Sequence, residues 1–281
     1  MKNLIYQCWE GNVLPSAHYG SECMKKYAET IGADYEFDIN SGWINKKFKY
    51  AGENKKYYGT IKPVYEDRFL EYDNVLYVDT DIFPVENLSE SIFDNFSGQI
   101  GMCQEPLQPD WRAGRVDEYL WHRMMTNRYD TFCPQREDGK FLVFNAGLVL
   151  FSREGLVHAR KKWSAVHDYL LNVKNSGIGK GIYYTDQNYI HAMTFYTKMK
   201  FQELDQEWNR YITWDKRGVK VEDRKVCDPR NEHTKFVHVQ MRGADDLDND
   251  THYRIVNRPV TEWGKDKWGK SFEENTYYRT F

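Results

Sequence analysis

The sequence predicts an α/β protein: a single domain on a mixed, mostly parallel central sheet flanked by helices, followed by an irregular C-terminal tail. Three observations carry that expectation. The chain opens as strand, helix, strand. A strand of fully buried character, residues 74–78, runs straight into two carboxylates, and sheet-like and helix-like stretches then alternate to about residue 241. A parallel strand can join its neighbour only through a long crossover, usually a helix, so this alternation marks a largely parallel sheet.

The first strand is "NLIYQCW" (3–9), and "PSAHYGSECMKKYAETIG" (15–32) follows as a helix with Pro15 near its start and Gly32 at its end. "ADYEFD" (33–38) is the second strand. A polar, Lys-rich connection (40–58) leads to "TIKPVYEDRFLEYD" (60–73), where Ile61, Val64, Tyr65, Phe69 and Leu70 fall at helical spacing. Next come "NVLYVDTDIFP" (74–84), a strand at "QIGMCQ" (99–104), a helix at "RVDEYLWHRMMTNR" (115–128) and the strand "GLVLFS" (147–152). "REGLVHARKKWSAVHDYLLNV" (153–173) reads as one long amphipathic helix, and a further helix starts near "TDQNYIHAMTFY" (185–196). "FVHVQM" (236–241) is the last expected strand, and 242–281 is polar, aromatic and weak in periodicity. The expected division is a domain over 1–243 with an extension, 244–281, packed on it.

The balance of 39 Lys and Arg against 42 acids, net charge −3, gives no general basic field for a nucleic-acid backbone. Aromatic residues make up 16% of the chain, which suits core packing and stacking on sugars or bases alike. Cys8, Cys23, Cys103, Cys133 and Cys227 are scattered, odd in number and never in C-x-x-C spacing, so neither a disulfide framework nor a zinc site is expected. A reducing, cytoplasmic compartment is the simpler expectation, with peripheral membrane attachment open. The apolar run at the N-terminus is too short for a signal-peptide core, and "FLVFNAGLVLF" (141–151) is shorter than the ~20 residues of a membrane helix. There is no internal repeat and no Gly-rich phosphate loop.

Asp79 and Asp81 stand at the carboxyl end of a buried strand, the edge where open α/β sheets place ligands. Separated by one residue, they can converge on one cation, which keeps positions for waters or phosphate oxygens. The plainer alternative is a pair of Asp residues capping a turn. Burial favours the cation, because adjacent carboxylates taken out of water are costly without one.

"YDNVLYVDTDIFP" resembles the "YDKVLYLDxDxL" core of the family-8, glycogenin-like retaining glycosyltransferases, which use nucleotide sugars and the GT-A (Rossmann-like) fold. Further matches follow in the family's order. Lys62 stands where the family has a Lys or Arg that fixes the donor beside the metal. "FNAGLVLF" (144–151) is similar to the family's "FNAGvmlin" strand, which implies that Asn145 faces the donor sugar and that Gly147 admits close backbone approach. "TDQNYI" (185–190) resembles the "DQdilN" helix start, placing Asp186 and Gln187 near the anomeric carbon. "KFVHVQMRG" supplies His238 as the third metal ligand after Asp79 and Asp81, with Mn²⁺ or Mg²⁺ as the implied ion.

The resemblance also puts the nucleotide beside the end of the first strand, with Tyr6, Gln7 and Trp9 as candidates, and includes Thr80 among the donor-binding residues. Trp208 and Asn209 of "LDQEWNRY" are expected to pack and to fix a loop. The chain departs from the family beyond His238, where the usual Gly and Lys positions hold Met241 and Ala244; Arg242 is the candidate replacement as diphosphate clamp.

The implied reaction is metal-dependent transfer of a sugar from a nucleoside diphosphate sugar, UDP-linked by family habit, to an acceptor hydroxyl on a glycan, with retention. An inverting enzyme would need a base toward the acceptor, for which Glu105 or Asp110 could serve. A nucleotidyltransferase is disfavoured because "CWEGNVLPSA" lacks a basic Gly-rich loop. A non-catalytic carbohydrate-binding relative would be expected to have lost a ligand or the Asp-Gln pair. A DNA glucosyltransferase would need a basic face, and only "KFKYAGENKKYYG" (47–59), read as a flap near the donor, is locally basic.

Overall fold

The computed structural model describes residues 1–39, 42, 58–105, 134, 135, 137, 142–175, 185–214, 226–241 and 243–277. β1 (Asn3–Trp9) is followed by helix α1 (Pro15–Ile31) and β2 (Asp34–Ile39). Pro15 sits in the first helical turn, where its missing N–H leaves no bond unmade. At the far end Gly32 turns left-handed (φ 68°), and its N–H meets the carbonyls of Ala28 and Glu29.

Residues 60–73 do not form the single helix that their spacing predicts. A four-residue helix, α2 (Lys62–Tyr65), gives way to a 3₁₀ turn over Asp67–Glu71, because Glu66 between them is extended (φ −112°, ψ 129°). The break lets Ile61, Val64 and Phe69 all reach the core, and the Glu66 carboxylate pairs with Lys62 and Arg68.

β3 (Asn74–Val78), β4 (Ile82–Pro84), β5 (Ile100–Gln104) and β6 (Phe144–Ser152) come next. The stretch 153–173 is also two helices, α3 (Arg153–Lys162) and α4 (Val166–Asn175). Trp163 breaks it by going extended (φ −70°, ψ 134°), so that its ring packs on Phe151 and Tyr189. The Ser164 carbonyl freed at the break accepts from the Tyr189 hydroxyl at 2.6 Å. In both places tertiary packing overrides a continuous helical pattern. The chain continues with α5 (Asp186–Tyr196), β7 (Phe201–Glu203), β8 (Arg210–Trp214), β9 (Val226–Cys227), β10 (Phe236–Gln240), α6 (Asn249–Asn257), α7 (Phe272–Asn275) and β11 (Thr276–Tyr277). The expected helix at 115–128 lies outside the described residues, as does the basic loop except for Tyr58 and Gly59.

Six strands form the main sheet in the order β2-β1-β3-β6-β5-β7. β2, β1 and β3 run parallel, β6 is antiparallel to both of its neighbours, and β7 is parallel to β5. Alternation along β1 and β3 divides the core in two. Tyr6, Val75 and Tyr77 face Leu156, Tyr169 and Tyr189 of the later helices, whereas Ile5, Leu76 and Val78 face Met24 and Tyr27 of α1.

A second sheet, β11-β9-β8-β10-β4, has no counterpart in the sequence reading beyond the β10 strand itself. Its strands are short and its pairings non-local. The tail is also more ordered than its weak periodicity suggests. Asp248 caps α6 by accepting from the Thr251 N–H at 2.6 Å, and Ile255, Val256, Trp263 and Phe272 pack on Phe83, Val237 and Val239. The Arg230 guanidinium, paired with Asp228, donates to the carbonyls of Ile255, Val256 and Arg258 and lies 4.8 Å from the Trp263 ring centroid. One cation therefore ties the end of α6 to the second sheet.

Cys8, Cys23, Cys103 and Cys227 are free thiols, and no helix among the described residues is long and apolar enough to cross a membrane.

Candidate active site

The ladder of β3 runs one residue past Val78, since the Asp79 N–H donates to the Gly147 carbonyl at 2.7 Å. Period two puts Asp79 on the same face as Tyr77, whose hydroxyl donates to Asp79 Oδ1 at 2.7 Å. Gln7 of β1 buttresses the backbone there: its Nε2 donates to the Asp79 carbonyl at 3.1 Å while its Oε1 accepts from the Tyr35 hydroxyl at 2.7 Å. Thr80 and Asp81 make the turn into β4. Helix α1 closes on that turn at Gly20, where a Cβ would lie 2.0 Å from the Thr80 carbonyl oxygen. No side chain can stand there, so the backbone of the turn is held directly against the helix.

The second sheet brings His238 to the same place. β10 pairs antiparallel with β4, His238 opposite Ile82, and the Val239 N–H donates to the Asp81 carbonyl at 2.8 Å. His238 Nε2 then stands 3.3 Å from Asp81 Oδ1, and one ligand atom from each of Asp79, Asp81 and His238 lies within 4.8 Å of the others. Burial, and next the Asp81 charge, push the Asp79 carboxyl above the usual carboxylate range. Burial pulls the His238 imidazole down, but Asp81, Asp79 and Glu105 together outweigh it and leave its pKa raised.

These residues fit a divalent cation. His238 Nε2 is buried without a well-formed hydrogen bond, Asp81 Oδ1 standing 3.3 Å away, a cost that a coordinated cation would remove. Two carboxylates and one imidazole suit Mn²⁺ or Mg²⁺ with places left for other oxygens. Gly147 keeps the space clear, because a Cβ there would fall 2.9 Å from Asp79 Oδ2, 2.9 Å from Asn145 Oδ1 and 3.0 Å from His238 Cε1. Gly147→Ala is expected to lower the affinity for Mn²⁺ and to cost about 1–3 kcal/mol of stability through overpacking. Isothermal titration and a thermal melt check this, and an alanine variant with both unchanged would show that the cradle tolerates the methyl.

Asp186 opens α5 and is buried, and the Thr60 hydroxyl donates to its carboxylate. Burial pushes its pKa up to about 8, with Thr60 opposing and Asp79 adding to the rise. Thr185 precedes it without a side-chain capping bond, so this helix start is not a capping box. Gln187 Oε1 accepts from the Ala146 N–H at 3.3 Å, which ties the start of α5 to β6 between Asn145 and Gly147.

Lys62 is buried and directed at Asp38, with Glu66 Oε1 at 3.6 Å. The Tyr6 hydroxyl donates to the same Asp38 carboxylate at 3.1 Å, and the ring packs in the core against Phe69. Trp9 is half-buried at the strand end, its indole N–H donating to the Asn12 carbonyl at 3.0 Å. Arg242 and Asp110 lie outside the described residues. Asn145 is engaged at both ends of its amide: its Nδ2 donates to Glu105 Oε2 at 3.0 Å, and its Oδ1 accepts from the Gly147 N–H at 2.9 Å and from Asn209 Nδ2 at 3.1 Å. Tyr77, Thr60 and Asn209 were not among the expected site residues. Tyr77 had a usable signal, since it sits two positions before Asp79 on one strand; Thr60 and Asn209 reach the site only through the fold.

The α/β fold, with a mixed sheet carrying carboxylates at the end of a central strand, is that of the GT-A glycosyltransferases. The chain belongs to glycosyl transferase family 8, whose model matches residues 41–240. Mouse xyloside xylosyltransferase 1 in its apo form is similar with a TM-score of 0.52 and 16% identity, over 85% of this chain and 98% of that one. The apo structure of the bifunctional glycosyltransferase WbbM is similar with a TM-score of 0.51 and 11% identity, over 98% of this chain and 52% of that one. At those identities the likeness is one of fold. No curated protein matches the chain by sequence.

Proposed function

We propose that this glycosyltransferase moves a sugar from a UDP-linked donor to an acceptor hydroxyl on a glycan, with retention, using Mn²⁺ or Mg²⁺ held by Asp79, Asp81 and His238. The observation that carries the reading is the convergence of those three side chains within 4.8 Å, with His238 Nε2 otherwise unsatisfied. When bound, the cation supplies positive charge against the diphosphate that leaves. Tyr77 and Gln7 hold Asp79 in place, and the turn at Thr80 is pressed into register by α1. Lys62, paired with Asp38, and Arg242 are the cations proposed to meet the diphosphate. Tyr6 and Trp9 mark the proposed nucleotide side, and residues 244–281 the region where acceptor choice is made.

Asp186 and Gln187 are the groups proposed to act at the sugar. A carboxylate at the Asp186 position stabilises an oxocarbenium-like centre electrostatically. Asn145 and Gly147 shape the sugar side of the pocket. The retaining assignment is supported by Glu105, the candidate base of an inverting reaction, which is 1% exposed and engaged with Asn145 rather than open to an acceptor. Incubation with Mn²⁺ and a panel of UDP- and GDP-sugars, with nucleoside diphosphate release as the readout, tests the proposal. Turnover is expected with at least one UDP-sugar and is expected to stop on chelation; absence of turnover and of donor binding across the panel would defeat it.

A further inference from the structure

Asn209, Asn145 and Glu105 form a chain of hydrogen bonds that ends on His238, and its direction can be deduced. A backbone N–H can only donate, so the oxygen of Asn145 that meets the Gly147 N–H at 2.9 Å must be the acceptor end of the amide. That leaves the Asn145 amide nitrogen facing Glu105 Oε2 at 3.0 Å. Because Asn145 Oδ1 also meets Asn209 at 3.1 Å, the Asn209 contact atom is its nitrogen, and its oxygen is the atom 3.2 Å from His238 Nδ1. The His238 Nδ1 must then carry the hydrogen. Glu105, Asn145, Asn209 and His238 are all buried, so no bulk water competes for these bonds.

We infer that Asn209, backed by Asn145 and Glu105, is a positioning residue that fixes His238 in its Nδ1–H tautomer and turns the Nε2 lone pair toward Asp79 and Asp81. Metal-bound histidines generally need such a partner on the second ring nitrogen, which sets both tautomer and ring orientation. The turn that presents Asn209 is itself anchored: Gln206 Nε2 donates to the Gln104 carbonyl at 3.0 Å, and the Cys103 thiol donates to the Asp205 carbonyl at 3.3 Å. On the other side the Tyr211 ring lies 4.2 Å from the imidazole, centroid to centroid. Strand β8, which starts one residue after Asn209, runs parallel to β10 with Tyr211 opposite His238. The relay thus joins the interior strands β5 and β6 of the main sheet to the second sheet at His238. The inference rests on Asp79, Asp81 and His238 being the metal site.

Mn²⁺ binding to the purified full chain, followed by electron paramagnetic resonance of the free ion, tests it in wild type, Asp81→Ala, Asn209→Leu and Glu105→Gln. Asn209→Leu keeps the branched shape of the side chain and removes the relay, and is expected to weaken Mn²⁺ about 10- to 100-fold, the usual cost of losing such a partner. Glu105→Gln can still accept from Asn145 and is expected to stay within about threefold of wild type. Equal affinity in wild type and a folded Asn209→Leu would overturn the inference. If wild type binds no Mn²⁺, or Asp81→Ala binds as well as wild type, the metal reading fails and the inference falls with it. A second measurement needs no variant: ¹⁵N correlation spectra of the His238 ring in ligand-free wild type, at a pH where it is neutral, are expected to show the Nδ1–H tautomer. The Nε2–H tautomer there would overturn the relay even if Mn²⁺ binds.

Discussion

Asp81→Ala is expected to slow nucleoside diphosphate release by roughly 10³-fold or more while leaving the fold intact. The loss follows from charge. A bound cation contributes several kcal/mol of stabilisation to a departing diphosphate, and each ~1.4 kcal/mol is a factor of ten in rate. The fold survives because what Asp81 gives to the architecture is its backbone: its carbonyl receives the Val239 N–H, and alanine keeps that bond. Its side chain is 41% exposed, and its charge is one of the causes that raise the Asp79 pKa, so removal eases one repulsion as it takes a partner from His238. The two effects oppose each other in the ligand-free protein. Mn²⁺ separates the cases, since a ligand at about 100 times its Kd raises stability by roughly 2.7 kcal/mol. Wild type is therefore expected to melt several degrees higher with Mn²⁺, and Asp81→Ala at an unchanged temperature. A variant that keeps its rate within threefold, or the full Mn²⁺ shift, would remove Asp81 from the site.

Asp186→Asn is expected to lower turnover by about 10²- to 10³-fold, the scale of removing one electrostatic stabiliser of a transition state, and to raise stability at the same time. The sign follows from the two pKa values, 3.8 as the reference and about 8 in the folded chain. Below 3.8 the carboxyl is protonated folded or unfolded, and Asp186 has no pH-dependent effect. Between 3.8 and about 8 the folded protein keeps a proton that the unfolded chain has released, so stability falls as pH rises; above about 8 the whole cost of the buried charge is present. Asparagine has no such cost. Melting curves at pH 4, 6, 8 and 9 are expected to show the variant gaining on wild type up to pH 8 and then holding a constant lead of several kcal/mol, by the ~1.4 kcal/mol that each pKa unit represents. A lead that shrinks with rising pH would mean that Asp186 is held as a stabilised anion. Activity has its own signature. Because Asp79 is one cause of the raised pKa, a bound cation that offsets its charge is expected to move the acid limb of kcat/KM below pH 8.

Strands β1, β2, β3, β5 and β6 of the main sheet were legible because their signals are local. Pro15 and Gly32 at the two ends of α1 and the buried runs of β1 and β3 all depend on neighbours in sequence. The helices at 60–73 and 153–173 misled for the opposite reason. Their apolar spacing is genuine, but Glu66 and Trp163 turn extended because Phe69 and the Trp163 ring gain more from distant core partners than from one more helical turn. The tail hid its helix because Ile255, Val256, Trp263 and Phe272 are too sparse to set a period, and only the cluster against β10 makes them a core.

The sequence by itself determined that this chain is α/β and that two carboxylates stand at the end of a buried central strand. Period-two alternation and the cost of burying paired charge leave little freedom there. Tertiary structure alone decided how His238 reaches those carboxylates, which of its nitrogens faces them, and that the Asp186 carboxyl is pushed above the usual carboxylate range. Each depends on groups far apart in the chain: His238 on its pairing with β4 and the Asn209 amide, Asp186 on its burial and the charge of Asp79, with Thr60 opposing them. Tautomer and protonation are set by what surrounds a group in three dimensions, and no spacing along the chain encodes that.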